Sequence, residues 1–387
     1  MAADAGGALP YWRLSASYLF YFAALGALVP YWGLYLQSRG FDALAVGQLM
    51  AILGATKIVA PLLWGHWADR AGRRMPLVRL ANLGTVLVFG SVFIADGFWT
   101  MAAAMTLFSF FWNASLPLLE SVTFNHLGVR PAYYARVRLW GSVGFILVVG
   151  ALGLHLEQAS LASVPLWVLT LYLGTLLSTL LVPDSPPAAG AGPAPALRLL
   201  LRRPEVRALL GACFLMQLSH GIYYAFYSIY LKSAGYSTGA MGGLWVFGVV
   251  AEVLVFLIMH RLLRRFGARR VLLWSLGLGA LRWLLIGAFI GSLPLQVLAQ
   301  SLHAASFGTF HVAAIHLIHH YFPGPTQGRG QALYNSLSFG AGGAAGSLIG
   351  GALWVTPGPF AAFGVGAIAA LLGLWAAWRW VDLGRRY

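Results

Sequence analysis

Residues 44–95 read LAVGQLMAILGATKIVAPLLWGHWADRAGRRMPLVRLANLGTVLVFGSVFIA. Two apolar runs, 44–64 and 76–95, flank a short joint carrying Asp69, Arg70, Arg73 and Arg74. Each run has about the ~20 residues that cross a bilayer as a helix. Working outward at the same polar and Gly/Pro-rich joints gives further spans at 14–36, 99–122, 138–155, 162–182, 207–231, 240–260, 270–290, 294–318, 331–353 and 360–380. The sequence thus predicts an all-α polytopic membrane protein of twelve transmembrane helices. A 59% hydrophobic and 9% charged composition over 387 residues agrees, since soluble domains carry roughly 25% charged residues. Apolar and aromatic content this high also excludes disorder.

The charges follow the same pattern. With the N-terminal tail counted as cytoplasmic, 21 of the 25 Lys and Arg residues fall on that side. Only Arg39 and Lys232 lie in opposite loops, and Lys57 and Arg282 sit inside spans. The positive-inside rule then places both termini in the cytoplasm. It explains the net charge of +15 without nucleic acid as a partner. The first apolar run is too long for a cleavable signal peptide and lacks a small-residue cleavage site. The single cysteine, Cys213, excludes an internal disulfide.

The longest joint, residues 183–206, is rich in Pro, Ala and Gly and ends in a basic amphipathic piece. It separates two six-helix bundles, 1–182 and 207–387, which resemble each other at an offset of 195. Under that shift Tyr35-Leu36 meets Tyr230-Leu231, Ser38 meets Ser233, Gly40 meets Gly235, Gly47 meets Gly242, and Lys57 meets Glu252. Internal repeats of this kind mark secondary transporters, whose site lies near the bilayer midplane.

Lys57, Glu252, Arg282 and His303 come out near mid-depth, and Glu120 and Arg138 lie nearer the cytoplasm. A charge at a helix centre costs about 2.5–3.5 kcal/mol. Three approach ~10 kcal/mol, comparable to a whole domain's stability of ~5–15. Such groups must pair, face water or titrate. One reading makes them ion pairs joining helices; the other makes them a substrate and proton site, with Glu252 beside Arg282 switching protonation as its partner moves. Asn113, Gln217, His220, Trp32, Trp112, Tyr224 and Tyr227 collect at similar depth, the apolar and aromatic lining with a few polar groups that a small organic ligand needs. The histidines of the tenth span lack the i, i+4 spacing of a helical zinc motif, so neither metal nor cofactor is expected.

The joint Gly65-His-Trp-Ala-Asp69-Arg70-Ala-Gly72-Arg73-Arg74 resembles the G-x-x-x-D-R-x-G-R-R loop of the major facilitator superfamily. Gly72 permits its tight turn, and Asp69 can accept from helix ends and cations. The resemblance implies a gating loop built on Gly65, Asp69, Arg70, Gly72 and Arg73. Tyr134-Ala-Arg136-Val-Arg138-Leu-Trp140-Gly141-Ser142-Val-Gly144-Phe145 and Leu302-His303-Ala304 resemble the 3-phenylpropionic acid transporter family, in the superfamily's lactose-permease-like branch of proton symporters. That resemblance implies the major facilitator fold. It also implies substrate binding by Glu120 and Arg138, and proton coupling by Glu252, Arg282 and His303. Ser306 stands where the branch has a second carboxylate after the histidine, which leaves Glu252 as the candidate proton carrier.

The expectation is a monomeric, non-enzymatic symporter of the bacterial inner membrane, moving a small aromatic carboxylate such as 3-phenylpropionate with protons; sugars and nucleosides are the alternative substrates. Three rival classes weigh less. A pump needs a phosphate-binding loop, which is missing. Gly235-Tyr-Ser237-Thr-Gly239 matches a hydrolase nucleophile motif, but sits in a turn between spans rather than between strand and helix. A sensor or scaffold would keep the fold without transport.

Overall fold

The computed structural model describes residues 9–128, 133–185 and 197–382, and those residues are helical throughout apart from turns. In chain order the α-helices are α1 (Tyr11–Ser38), α2 (Ala43–Ala71), α3 (Met75–Phe89), α4 (Phe98–Leu127), α5 (Tyr133–His155) and α6 (Val164–Leu180). They continue as α7 (Leu197–Leu201), α8 (Pro204–Ser233), α9 (Thr238–Ala288), α10 (Leu293–Ser301), α11 (Phe310–Tyr321), α12 (Gln327–Asn335), α13 (Gly343–Leu353) and α14 (Pro359–Trp380). Among the described residues, nine helical stretches are long and apolar enough to cross a membrane. Many carry exposed leucines, such as Leu87 on α3 and Leu257 on α9. Apolar side chains facing outward along whole helices are what lipid contact requires.

The expected spans map onto these helices with two departures. Spans eight and nine, 240–260 and 270–290, both fall within α9, which bends at Gly267 (φ 77°, ψ 153°). Only glycine adopts that backbone without strain. Spans ten and eleven, expected as continuous helices, are instead each interrupted by a π segment: Ala304–Thr309 between α10 and α11, and Ser336–Gly342 between α12 and α13. Both segments are built of small residues, AASFGT and SLSFGAG, which leave room for the wider turn. Of the expected linker 183–206, residues 186–196 lie outside the described residues; its basic end forms the short helix α7.

The offset of 195 is written into the backbone. Gly40 (φ 87°) and Gly235 (φ 85°) make equivalent outer turns, and Gly72 (φ 65°) and Gly267 (φ 77°) equivalent inner ones. Asp42 caps α2 by accepting from Ala45 N (2.8 Å), and Ser237 caps α9 by accepting from Ala240 N (3.2 Å). Each cap satisfies one of the orphan amides of a helix start. Ser237, the serine of the hydrolase-like motif, is thereby a helix cap, and its hydroxyl donates to Glu157 Oε1 (2.7 Å).

Packing divides the chain into two compact units. One comprises residues 1–28, 59–148 and 163–190, and the other 29–58, 149–162 and 191–387. This is not the division by duplication. The second unit takes in residues 29–38 of α1, 43–58 of α2 and the α5–α6 turn, which pack on helices of the C-terminal repeat. Glycines make that packing possible: Gly47 and Gly351 bring α2 and α13 into backbone contact, and Gly153 and Gly242 do so for α5 and α9. Small residues at such crossings let backbones approach closely, a principal source of helix association in lipid.

Candidate functional site

In the first unit the sequence-predicted residues gather on α1, α4 and α5. Glu120 on α4 accepts from Tyr134 Oη at 3.0 Å. Arg138 lies over the Phe22 ring, its Cζ 3.7 Å from the centroid. Gly141, one helical turn on, makes room for both, since a Cβ there would stand 2.7 Å from Arg138 Nη1 and from the Phe22 ring. Trp112 is buried and stacked on Tyr21 (5.2 Å, 23°), with the buried Asn113 beside it in sequence. The unit therefore holds a carboxylate and a guanidinium, each partnered by an aromatic residue. Among the described residues the two make no ion pair within 4 Å.

The second unit has the denser constellation. Arg282 on α9 is fully buried; its Nη2 donates to Gln300 Oε1 (2.9 Å) and its Nη1 to Ser306 Oγ (3.2 Å). Its guanidinium lies 4.3 Å from the Tyr223 centroid and 4.6 Å from that of Trp283. Glu252, expected beside Arg282, pairs instead with His303, Oε2 to Nε2 at 3.3 Å. The two residues lie on either side of the non-helical Gly267, and each meets a different residue of the tenth span: Glu252 meets His303, and Arg282 meets Gln300 and Ser306. Gly308 in the π segment lets Glu252 approach, its virtual Cβ lying 3.1 Å from Glu252 Cγ. Gln300 bonds Tyr223 Oη (3.1 Å) and Gln296 accepts from Tyr227 Oη (3.2 Å), so α8 and α10 are tied by two Tyr–Gln pairs.

His220 is fully buried, its Nδ1 bonded to Met216 O (2.9 Å) and its ring edge-on to Trp283 (4.9 Å). Gln217 is buried on the same helix, and Tyr224, half-buried, stacks with Trp245 (6.3 Å, 22°). Trp32 is buried, with its ring centroid 4.9 Å from that of Tyr35 on α1. Lys57, a candidate counter-charge for Glu252, stands over Phe339 with Nζ 6.0 Å from the centroid. It has no carboxylate within 4 Å among the described residues. Sequence reasoning missed Gln296, Gln300, Tyr134 and Phe22 as partners. Nothing marks a neutral glutamine or a phenylalanine as special until a buried charge is seen against it.

The expected gating loop lies in the first unit. Gly65 and Arg70 belong to α2, Gly72 makes the turn, and Asp69 faces Arg74 at 3.5 Å. The carboxylate that accepts from a helix end is Asp184 rather than Asp69. Asp184 takes hydrogen bonds from Arg73 Nε (2.9 Å), Met75 N (3.3 Å) and Ser185 N (3.1 Å), joining the end of α6 to the start of α3. Partial burial alone would raise its pKa, but these hydrogen bonds outweigh it and hold the carboxyl below its ordinary value.

A basic glycine-turned loop, glycine turns repeated at an offset of 195 and buried charges on long apolar helices fit a membrane carrier, and comparison with known proteins agrees. Residues 11–365 match the MFS_1 like family. The chain belongs to this family of major facilitator transporters. It is 32% identical to the probable 3-phenylpropionic acid transporter of Escherichia coli (strain K12), over 84% of this chain and 86% of that protein. It is 28% identical to the maltose permease of Geobacillus stearothermophilus, over 87% of this chain and 86% of that one. The crystal structure of the nucleoside transporter NupG superposes with a TM-score of 0.80 at 17% identity, covering 96% of this chain and 98% of that chain. The fold is therefore that of the major facilitator transporters, and the chain is a multi-pass membrane protein that takes a small-molecule substrate.

Proposed function

We propose that this family member is a proton symporter for a small aromatic carboxylate, working as a monomer in the bacterial inner membrane with both termini cytoplasmic. The observation that carries the reading is the contrast between Arg282 and Glu252. Among the described residues Arg282 is buried on the neutral acceptors Gln300 and Ser306, and Glu252 is paired to a histidine. Leaving a cation in the membrane without a carboxylate is costly; Lys57, partly exposed and also without a carboxylate within 4 Å among the described residues, is where an anionic substrate can relieve that cost in the same unit. A carboxylate bonded to an imidazole offers a proton two adjacent basic atoms between which it can be held and passed on. The name of the 3-phenylpropionic acid relative points to the same substrate class. Transport would follow alternating access, in which the glycine-lined contacts of α2 with α13 and of α5 with α9 part and re-form. No cofactor beyond the proton gradient is invoked, and the chain is read as a carrier rather than an enzyme.

The test is solute-driven proton uptake in proteoliposomes, with 3-phenylpropionate, maltose, lactose and uridine compared in the native protein and in Glu252→Gln. External alkalinisation by the aromatic acid, lost in the variant while solute binding persists, is the expected result. Alkalinisation by a sugar or nucleoside alone refutes the anion reading. Solute flux without proton movement refutes symport.

A further inference from the structure

The two π segments do more than interrupt their helices. Wide turns of this kind recur at functional sites, and here they bring two phenylalanines together. Phe307, in the first π segment, meets Phe339, in the second, with ring centroids 6.1 Å apart and planes at 69°. Phe307 is also the middle ring of a parallel stack along one face of the tenth span. His303 lies 5.3 Å away at 8°, and His311 6.2 Å away at 7° on the other side. Phe339 closes edge-on against His311 as well (5.9 Å, 64°), and His311 Nδ1 is bonded to Tyr334 Oη at 2.9 Å. Lys57 completes the group above Phe339. Every one of these residues belongs to the larger unit.

Exposure separates this group from the Arg282 cluster. Arg282, Tyr223 and Trp283 are essentially inaccessible. Lys57, Phe307, His311 and Phe339 are each partly exposed and so present surface that a ligand can touch. We propose that Phe307 and Phe339 form the floor on which the substrate's aromatic ring lies, and that Lys57 holds its carboxylate. This assignment rests on the aromatic-carboxylate reading above and deepens it. The spacing suits that class: Lys57 Nζ lies 6.0 Å from Phe339, one ring step from Phe307, so an acid group joined to an aryl ring by a short methylene spacer can meet ammonium and floor together. An ammonium poised over a ring is already held by cation–π attraction. A carboxylate would replace that weak partner with a charge-assisted hydrogen bond. The floor also adjoins the proton pair, because Phe307 stacks on His303, whose other contact is Glu252.

The experiment measures equilibrium binding of 3-phenylpropionate, 3-cyclohexylpropionate and 3-phenylpropan-1-ol to the purified full chain. Phe307→Leu and Phe339→Leu should each weaken phenylpropionate about three- to tenfold more than its saturated analogue, because only the aromatic ring gains from ring–ring geometry. Phe307→Tyr keeps the ring and should keep the native ratio. Lys57→Met should weaken both acids by about ten- to a hundredfold and leave the alcohol unchanged. Each readout is a ratio between ligands on one preparation, which a partly unfolded sample does not alter. A native protein that binds no aromatic acid refutes the proposed function, and this inference with it. Binding of phenylpropionate with the phenyl-to-cyclohexyl ratio unmoved in both leucine variants, or with the acid-to-alcohol ratio unmoved in Lys57→Met, overturns the inference alone.

Discussion

Gly242 offers a direct measure of the contact between α5 and α9. Tyr31 Oη donates to Val149 O at 2.7 Å, and the start of α9 lies across that bond. A Cβ at Gly242 would stand 2.8 Å from Tyr31 Oη, 2.9 Å from Val149 O and 3.4 Å from Gly153 Cα. The tyrosine tip can swing aside, but the carbonyl and the Cα are helix backbone and cannot. Gly242→Ala therefore overpacks the contact, at a cost of about 1–3 kcal/mol. That cost applies only while α5 and α9 touch, and it vanishes when they part. A penalty confined to one of two states shifts their equilibrium by about 5–150-fold.

The assay is labelling from outside intact cells by a membrane-impermeant maleimide, with Tyr224→Cys as reporter on α8. The native Cys213 is fully buried and serves as the silent background. Gly243→Ala is the matched control, since a Cβ there meets nothing within 4 Å. Gly242→Ala should raise the labelling rate by about 5–150-fold, and Gly243→Ala should leave it alone. Equal rates in Gly242→Ala and the parent, at equal amounts of inserted protein, would refute the reasoning that this contact is made in only one of two states. So would an equal rise in both alanine variants.

Three further outcomes follow from the same geometry. Gln300→Leu removes the acceptor of Arg282 Nη2 and the partner of Tyr223, and should lower stability by about 1.5–3 kcal/mol; thermal denaturation in detergent should show Arg282→Met costing less in that background than alone, and simple additivity would contradict the pairing. Gly346→Ala would put a Cβ 1.9 Å from Leu218 O, beyond what side-chain repacking absorbs, and should cut the folded, monodisperse yield far more than Gly350→Ala, whose Cβ would face the Phe226 ring at 2.9 Å. Asp184 has its folded pKa depressed, so its contribution to stability is complete above the unfolded value of about 3.9 and is lost as pH falls through the folded value. Melting temperatures of Asp184→Asn and the native protein should accordingly differ at neutral pH and converge in acid, and a difference that persists at low pH would contradict the assignment.

The backbone and the chemistry of this chain were legible to very different degrees, and the offset of 195 shows why. Gly40 and Gly235, Gly72 and Gly267, Asp42 and Ser237 occupy equivalent turns and caps in the two repeats. Each is fixed by a local requirement, a positive φ or an orphan amide, which the residue satisfies by itself. Lys57 and Glu252 are equivalent under the same shift, yet one stands over Phe339 and the other bonds His303. Their partners sit on spans ten and eleven, where each π segment adds a residue to the turn. At 3.6 residues per turn, one added residue rotates everything after it by about 100°. His311 and the residues beyond Phe339 therefore leave the faces that a regular 3.6-residue period assigns them. A period read from sequence carries no mark of that insertion, so it loses the faces that follow each π segment; His303, just before the first segment, and Phe339, inside the second, are set by packing between helices, which no period reports. The offset of 195 carries the turns and caps that each repeat needs locally, whereas the surroundings that distinguish Lys57 from Glu252 come from packing against other helices, to which a local requirement gives no clue.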